Sequence, residues 1–453
     1  MKREAPVKKN QDIEIEIDAL ASEGQGIGRI EGYTVFVPYA LPKERVMAHI
    51  IKVNTGYAIA KLTEVLSPSP DRVKPRCPAF FACGGCNLQH MSYEKQLEFK
   101  RQTVFDALTR IGGLSDIEVE PTLGMEEPWR YRNKGSFPTG TVGGETVVGF
   151  FAPRSHRLVP IFDCPISDSR VTDTAQKVAE WANENKIQVY DEETGKGALR
   201  HIVVRATQEG GIMAVIVTAG KLPRIERLIE KLDGIVDSLY HNNNPDKTNV
   251  IFGSDFHPIY GASVLTEKIC GNRILVSPRS FLQVNSAQCE RLYEIVMELL
   301  KPGRNESVAD IYCGVGTMSL MIANEAKRVI GIENVAEAIT DAKRNAALNG
   351  LSNLEFICGD AETVLPKRVA DGLKLNAAVL DPPRKGCEER VLKAVVNSGV
   401  KRIVYVSCNP ATLARDLKYL TEQGLHPTSI HPVDMFPHTS HVETIVGLQR
   451  ETL

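Results

Sequence analysis

A cysteine near the C-terminus directly follows an apolar segment, in the run Ile403 to Pro410 that reads Ile-Val-Tyr-Val-Ser-Cys-Asn-Pro. Such a segment predicts a buried strand, and the carboxyl end of a strand in an open α/β sheet faces the ligand crevice. A thiolate there is a strong nucleophile if its pKa is lowered. Cys408 is therefore a candidate nucleophile, although a lone cysteine after an apolar strand is by default buried and inert.

Other predicted strands end in residues that suit a nucleotide-like cofactor. After one of them, Tyr312 and Gly314 begin a glycine turn that lets a ligand approach the backbone at a helix N-terminus. Glu333, at the end of the next strand, could bind ribose hydroxyls, and Asp360, after a third, could bind an adenine amino group. A tight structural turn and an exposed helix cap are equally good interpretations of the glycine turn and of Asp360.

Asp381 ends a further predicted strand and opens the run Asp-Pro-Pro-Arg-Lys-Gly. Two consecutive prolines cannot continue a central strand, and they stiffen a loop that would point Asp381 into the crevice. Pro-Pro loops of this kind occur in methyltransferases that modify exocyclic amines. The motif therefore indicates S-adenosylmethionine (SAM) as cofactor, but it does not identify the target atom.

Cys408 indicates which atom is the target. Carbon 5 of a pyrimidine is a poor nucleophile, but addition of a thiolate at carbon 6 creates an enolate whose charge is available at carbon 5. The methylated product keeps a proton on carbon 5, and a base must remove that proton before the thiolate can leave. Glu443, at the start of the last predicted strand, is the candidate base, with a surface acid at a strand end as the alternative.

Length and composition limit the class of protein. A chain of 453 residues predicts two to four domains. Charged residues make up 24% and the net charge is -2, so a nucleic-acid surface would have to be a local patch. The chain has no long apolar run, and its N-terminus has no signal-like segment. We expect a soluble, cytoplasmic monomer.

The chain divides into three parts, each with its own pattern. In residues 1–67 polar and apolar residues alternate in short segments between glycines, which predicts a small β-barrel. Residues 68–273 combine a predicted helix at 93–111 with Gly-Gly hairpin signals, which is typical of an α+β domain. Strands and helices alternate over 274–453, which predicts a Rossmann-like parallel sheet. The helix at 93–111 is expected to pack on this last domain.

Four of the ten cysteines are grouped in a way that suits metal binding rather than disulfides. Three lie close together, at Cys77, Cys83 and Cys86, and Cys164 lies far downstream. Their spacing leaves two possibilities open, a zinc ion with four thiolate ligands and an iron-sulfur cluster.

A run at residues 129–134 interleaves aromatic residues with cations, in the order Trp-Arg-Tyr-Arg-Asn-Lys. Proteins that bind single-stranded nucleic acid use such runs to combine base stacking with phosphate neutralisation. Arg130, Arg132 and Lys134 are therefore candidate RNA contacts. A solvated edge strand is the alternative interpretation of the same run.

Taken together, these motifs resemble the 23S rRNA (uracil-C5)-methyltransferases of the RumA/RlmD type, including forms that act on two sites. The resemblance covers almost the whole chain and begins with a TRAM-like segment, an OB-like RNA-binding barrel. Its further markers are the cysteine group, Ser280 to Asn285, Asp310 to Gly316, Asp381 to Gly386, Ser407 to Pro410 and His441 to Glu443.

The resemblance implies SAM-dependent methylation of uracil C5 through a covalent adduct, with Cys408 as nucleophile and Glu443 as base. It implies a 4Fe-4S cluster on the four cysteines, and Phe281 near the target base, although core packing would also explain this aromatic residue. The expected cofactor-binding residues are Gln283, Tyr312, Gly314, Glu333, Asp360 and Asp381.

The substrate expected from this resemblance is 23S rRNA, because tRNA enzymes of the same chemistry generally lack both the TRAM-like part and the cysteine group. A tRNA uracil-C5 methyltransferase that carries both is one alternative. Another is a non-catalytic RNA-binding or ribosome-assembly factor, against which the presence of Cys408 and Glu443 argues. A uridine within a stem or loop would have to flip out of its stack to reach Cys408.

Overall fold

The computed structural model describes residues 5–450, which form four sheets and nine helices. Residues 1–4 and 451–453, at the outer ends of the expected first and last domains, lie outside the described residues. Within the described part of the chain, no helix is long and apolar enough to cross a membrane.

The first sheet has six strands in the order β1-β5-β6-β4-β3-β2. Apolar and polar residues alternate along its first strand, where Ile13 and Ile15 are buried. The first and third strands also contact each other, so the sheet curls into a barrel. A Cβ atom on Gly28 would lie 2.4 Å from the Glu16 carbonyl oxygen, so this approach requires glycine. The strands are β1 (Asp12–Glu16), β2 (Ala19–Leu20), β3 (Gly26–Ile30), β4 (Tyr33–Val37), β5 (Arg45–Val53) and β6 (Tyr57–Ser67).

The second sheet has seven strands, and its pairs are antiparallel except for one. The predicted hairpin turn at Gly143 and Gly144 joins its first two strands, with both glycines at positive φ. Helices α2 (Ser169–Glu184) and α3 (Ile225–Leu232) accompany it. The strands are β7 (Lys134–Val142), β8 (Glu145–Phe151), β9 (Leu158–Pro160), β10 (Leu199–Ala206), β11 (Ile212–Thr218), β12 (Ser238–Asn243) and β13 (Asp255–Gly261).

A short hairpin, β14 (Leu265–Ile269) and β15 (Asn272–Val276), joins this sheet to the C-terminal part. Its residues share one apolar core with the central sheet and with the C-terminal sheet. The expected boundary between 273 and 274 therefore falls inside a paired hairpin and a continuous core.

The C-terminal sheet has seven strands in the order β18-β17-β16-β19-β20-β22-β21. Five neighbouring strands are parallel, and β22 runs antiparallel to both of its neighbours. The strands are β16 (Ser307–Ile311), β17 (Arg328–Glu333), β18 (Leu354–Cys358), β19 (Ala377–Leu380), β20 (Arg402–Ser407), β21 (Leu425–Val433) and β22 (Glu443–Arg450). The helices are α4 (Ser286–Leu300), α5 (Thr317–Ala323), α6 (Ala336–Leu348), α7 (Ala361–Ala370), α8 (Glu389–Asn397) and α9 (Pro410–Glu422).

The strand order of this sheet reverses between β16 and β19. From β16 to β18, each strand lies farther out on one side of the sheet. The next strand, β19, lies on the other side of β16, and the strands after it extend the sheet in that direction. In open α/β sheets a ligand crevice forms at such a switch point, at the carboxyl ends of the strands. The topology therefore places the candidate site beside Asp310, Asp381 and Cys408.

Helix α1 (Tyr93–Arg110) links the N-terminal half of the chain to this C-terminal sheet. Its apolar residues Val104 and Leu108 are fully buried in the same core as α9 and β20. The helix packs against α9 and β21. It therefore reaches the loop between β21 and β22, which leads to Glu443.

Candidate active site

A cavity of about 1220 Å³ opens at the carboxyl ends of the C-terminal strands. Glycines after β16, the Pro-Pro loop after β19 and the turn after β20 form its walls. All the catalytic and cofactor-binding residues predicted from the sequence line this cavity, together with Phe281: they are Gln283, Tyr312, Gly314, Glu333, Asp360, Asp381, Cys408 and Glu443.

Two acidic residues at one end of the cavity are held in place by hydrogen bonds. Backbone N–H groups hold the carboxylate of Glu333, since Gly314 donates to one oxygen at 3.2 Å and Val335 to the other at 2.9 Å. Asp360 precedes α7 and accepts a hydrogen bond from Asn334 at 3.2 Å. Both carboxylates are thereby oriented within the cavity, and their contacts with ribose and adenine remain predictions.

Asp310 lines the cavity as well, although the sequence did not single it out as a contact residue. It is buried at the end of β16, and the Ser319 hydroxyl donates to it. Burial raises the pKa of Asp310 to about 6. Its position near the end of an apolar strand, just before the glycine turn, is the signal that could have identified it.

Cys408 lies in the turn between β20 and α9 and is half-buried. The next residue, Asn409, caps α9 by accepting a hydrogen bond from the Ala411 N–H at 3.0 Å. The Asn409 side chain also donates to the Arg384 carbonyl oxygen at 3.2 Å. These bonds tie the turn that carries the thiol to the Pro-Pro loop.

The groups around the thiol have strongly shifted pKa values. Burial, then Glu443 and Asp381, raise the pKa of the Cys408 thiol to about 11, while Arg384 acts in the opposite direction. Burial and Asp381 raise the pKa of Glu443 to about 8, and here too Arg384 opposes the shift. The protein alone therefore lacks the lowered thiol pKa that a nucleophile needs, because burial and the neighbouring carboxyl groups oppose its ionisation.

The pKa of Asp381 is also raised. Asp381 is accessible through the cavity. Burial by the surrounding protein, and then the charge of Asp310, nevertheless raise its pKa to about 7. The carboxyl groups of Asp310, Asp381 and Glu443 thus lie close together on one wall of the cavity. The exposed guanidinium of Arg384 opposes the rise in the pKa of Glu443. Such clustered shifts are typical of sites that bind a cation or transfer protons.

The loop between β21 and β22 is held by side chains from elsewhere in the chain. Five successive backbone carbonyl groups, from residue 434 to residue 438, each accept at least one hydrogen bond from outside the loop. The donors are Gln288, Asn285, Lys100, Tyr131 and the backbone of Asn87 and Leu88. The path of the chain into Glu443 is therefore fixed.

Two residues of the aromatic and basic run at 129–134 contact other parts of the protein. Arg130 forms a two-pronged ion pair with Asp163, at 2.5 and 2.6 Å. Trp129 stacks on His438, with ring centroids 3.8 Å apart. Arg130 thus has an acidic partner at the protein surface, and Trp129 packs against the loop that leads to Glu443.

The other two cations of the run have fewer partners. Arg132 donates from Nε to the Lys134 carbonyl oxygen at 3.2 Å. Lys134 is half-buried, and among the described residues its ammonium group forms no ion pair. Neither of them lines the cavity. Contact with RNA remains a prediction for these two residues and for Arg130.

The four grouped cysteines come together in space. Charge on Cys164 acts on Cys77, Cys83 and Cys86, and Cys164 packs against the small apolar cluster that contains Cys83. Burial, more than these neighbours, raises the pKa of Cys86 to about 12. Within residues 5–450, no group of three or more Cys, His, Asp or Glu side chains is arranged to hold a metal ion. The expected cluster is thus not confirmed.

Two family models match parts of this chain. The C-terminal fold and its cavity define a SAM-dependent methyltransferase, and the family model described as tRNA (Uracil-5-)-methyltransferase matches residues 271–451. The TRAM domain model matches residues 6–63. An uncharacterized RNA methyltransferase of Halalkalibacterium halodurans is 45% identical, and the alignment covers 99% of each chain. One of Clostridium tetani is 46% identical over 98% of each chain.

A solved structure shows the same overall fold. The tRNA (uracil-54, C5)-methyltransferase of Pyrococcus abyssi, in complex with S-adenosyl-L-homocysteine, is 28% identical with a TM-score of 0.79. The match covers 96% of this chain and 100% of that chain. The chain therefore belongs to the RNA (uracil-5-)-methyltransferase family, and it is a SAM-dependent enzyme.

The shifted pKa values predict how the Cys408 thiol reacts. Because its pKa is about 11 in the protein alone, its alkylation should be slow at neutral pH and still accelerating at about pH 9. Saturating SAM brings a sulfonium cation into the cavity and should shift this profile to lower pH. S-adenosylhomocysteine, whose sulfur is neutral, is the matched control. Mass spectrometry of the Cys408 peptide measures the rate, and a midpoint near pH 7 without SAM would contradict the expectation.

Proposed function

We propose that this enzyme methylates carbon 5 of uridine in 23S rRNA through a covalent enzyme-RNA intermediate. The observation that carries the proposal is that Cys408 and Glu443 face one cavity together with the cofactor-binding acids. Neither residue alone would indicate this chemistry. A thiol with a carboxyl group close enough to affect its ionisation is what addition and elimination at one pyrimidine ring require.

The proposed reaction begins with two bond-forming steps. The Cys408 thiolate adds to carbon 6 of uracil and forms an S–C bond, which leaves an enolate whose charge is available at carbon 5. Carbon 5 then takes the methyl group of SAM, and the bond between that methyl carbon and the sulfonium sulfur breaks. S-adenosylhomocysteine is the leaving group.

Elimination completes the proposed reaction. The Glu443 carboxylate takes the proton from carbon 5, the C5–C6 double bond re-forms, and the Cys408 thiolate leaves. A carboxyl group with a pKa of about 8 is a stronger base than an exposed one, so burial suits Glu443 to this step. The positive charges of SAM and Arg384 favour the ionised forms of Glu443 and Cys408 when the substrates are bound.

Glu443→Gln is expected to separate the two halves of the reaction. Methyl transfer should still occur, but elimination should slow on the order of 10²–10⁴-fold, because the amide cannot accept the proton. A methylated protein-RNA adduct should then accumulate and survive denaturing electrophoresis. The matched control is Glu443→Gln combined with Cys408→Ala, which should form no adduct. A folded Glu443→Gln variant that turns over normally would assign the base role to another residue.

Two RNA classes are candidates for the substrate. The ordered set of motifs, including the cysteine group, supports 23S rRNA. The Pyrococcus abyssi structure favours tRNA as a second candidate, since a tRNA enzyme with a matching fold spans 96% of this chain. The presence of the additional parts therefore does not by itself separate the two classes.

Methylation of purified RNA distinguishes these candidates. Bulk 23S rRNA and bulk tRNA, both from cells that lack the enzyme, are incubated separately with enzyme and SAM. We expect 5-methyluridine to appear in the rRNA digest and not in the tRNA digest, measured by mass spectrometry of nucleosides. The Cys408→Ala variant is the control for contaminating activities. Methylation of tRNA alone would establish the second candidate instead.

We further propose that Cys77, Cys83, Cys86 and Cys164 hold a 4Fe-4S cluster with a structural role. The four thiols act on one another electrostatically, as ligands around one centre would. The thiolates of such a cluster bind four separate iron atoms, so they stand further apart than the ligands of a single ion. A bound cluster would cross-link the two chain segments and could exchange electrons. The residues present fit this group in number and kind.

Anaerobic purification tests the cluster. We expect a coloured protein with about four iron and four sulfide ions per chain, and we expect Cys164→Ser to lose most of the colour and iron. Elemental analysis and visible absorption measure both. A colourless protein with stoichiometric zinc would defeat the assignment and favour the four-thiolate zinc site.

A further inference from the structure

Two cations face each other across neighbouring strands of the central sheet. Lys134 begins β7 and Arg205 lies near the end of β10, and the antiparallel register places them directly opposite each other. Their side chains therefore lie on the same face of the sheet. Like charges in this arrangement destabilise a sheet, so a nearby anion would stabilise the pair.

Arg205 is the buried member of the pair, with 5% of its surface exposed. Its Nη2 donates to the Ser280 carbonyl oxygen at 3.1 Å. Its Nη1 is also buried and has no acceptor among the described residues. Burial lowers the pKa of Arg205 to about 10. A buried cation with an unsatisfied donor is costly unless something else at the site compensates it.

Lys134 is the accessible member. Its Nζ lies 5.9 Å from the ring centroid of Phe252, and it forms no ion pair within the described part of the chain. Burial, then Arg205 and Arg132, lower the pKa of Lys134 to about 8. The ammonium group is thus repelled by two neighbours and retains donors for an external acceptor.

The carboxyl group of Glu267 acts electrostatically on Arg205, but it does not neutralise the charge of the cation pair. Glu267 is buried and its charge acts on Arg205. Its oxygens accept hydrogen bonds from the backbone N–H groups of Gln208 and Lys268, at 3.1 to 3.3 Å. Burial raises its pKa, and it forms no ion pair with Arg205. The excess of positive charge therefore remains.

The pair adjoins the mouth of the catalytic cavity. Ser280, which accepts from Arg205, lines the cavity, and so does Phe252 beneath Lys134. The residue after Ser280 is Phe281, whose ring is 72% exposed at the cavity. A uridine that enters this cavity would bring its own backbone phosphates to the same rim.

We propose that Lys134 and Arg205 form a phosphate site that holds the RNA backbone beside the target uridine. Lys134 would contact the phosphate directly, and the buried Arg205 next to it would contribute a second positive charge. The site rests on the proposed function, since its anion is taken to be an RNA phosphodiester. The phosphate would reduce the repulsion between the two cations. The unfavourable free energy of placing them together is therefore offset only when RNA binds.

The test measures RNA binding without catalysis. Cys408→Ala protein cannot form the adduct, and its affinity for fluorescent poly(U) is measured by anisotropy over a range of salt concentrations. Adding Lys134→Gln should weaken binding several-fold and reduce the slope of log K against log salt by about 0.7, the value for one phosphate of a single strand. Lys393→Gln, which removes an exposed lysine on α8, is the matched control and should leave both quantities unchanged.

Thermal stability provides a second readout. Lys134→Gln removes a repelled charge, so the melting temperature without RNA should stay the same or rise. A lower melting temperature with unchanged RNA affinity and salt slope would show a purely structural lysine and overturn the proposal. Because binding is measured on a variant that cannot react, this failure is distinguishable from a failure of the uracil-C5 assignment.

Discussion

The buried ion pair between Lys100 and Asp434 is the interaction on which the catalytic arrangement depends. Both side chains are fully buried, and Tyr93 donates a further hydrogen bond to Asp434 at 2.8 Å. Lys100 also donates to the Phe436 carbonyl oxygen. Removing one member of such a pair typically costs about 3–5 kcal/mol, because it leaves an unpaired charge in the interior. Helix α1 thereby fixes the loop that brings Glu443 to the cavity.

The charges of the site and its position in the sheet both support the proposed methyl-transfer site. The reversal of strand order creates the crevice, and the strand ends that meet there supply Asp310, Asp381 and Cys408. Because burial and mutual repulsion raise the pKa values of these groups, the site holds less negative charge when it is empty. A cationic cofactor such as SAM would then do two things, donating the methyl group and favouring the thiolate that starts the reaction.

Local pattern predicted much of this molecule. The sequence located the carboxyl ends of β16 to β20 to within a residue or two, because buried parallel strands are apolar runs that end in polar loops. It could not show that Arg130 pairs with Asp163, that Arg205 faces Lys134, or that acids from other strands raise the thiol pKa. Each of these facts depends on residues distant in the chain that only folding brings together.

RNA containing 5-fluorouridine tests the central claim most directly. Fluorine on carbon 5 cannot leave as a proton does, so elimination should stop after methyl transfer and trap the intermediate. Incubation with enzyme and SAM, digestion and mass spectrometry should then show a fluorinated, methylated uridine on the Cys408 peptide. Normal methylation of unmodified RNA with no adduct on Cys408, or with the adduct on another residue, would contradict the covalent mechanism proposed for this site.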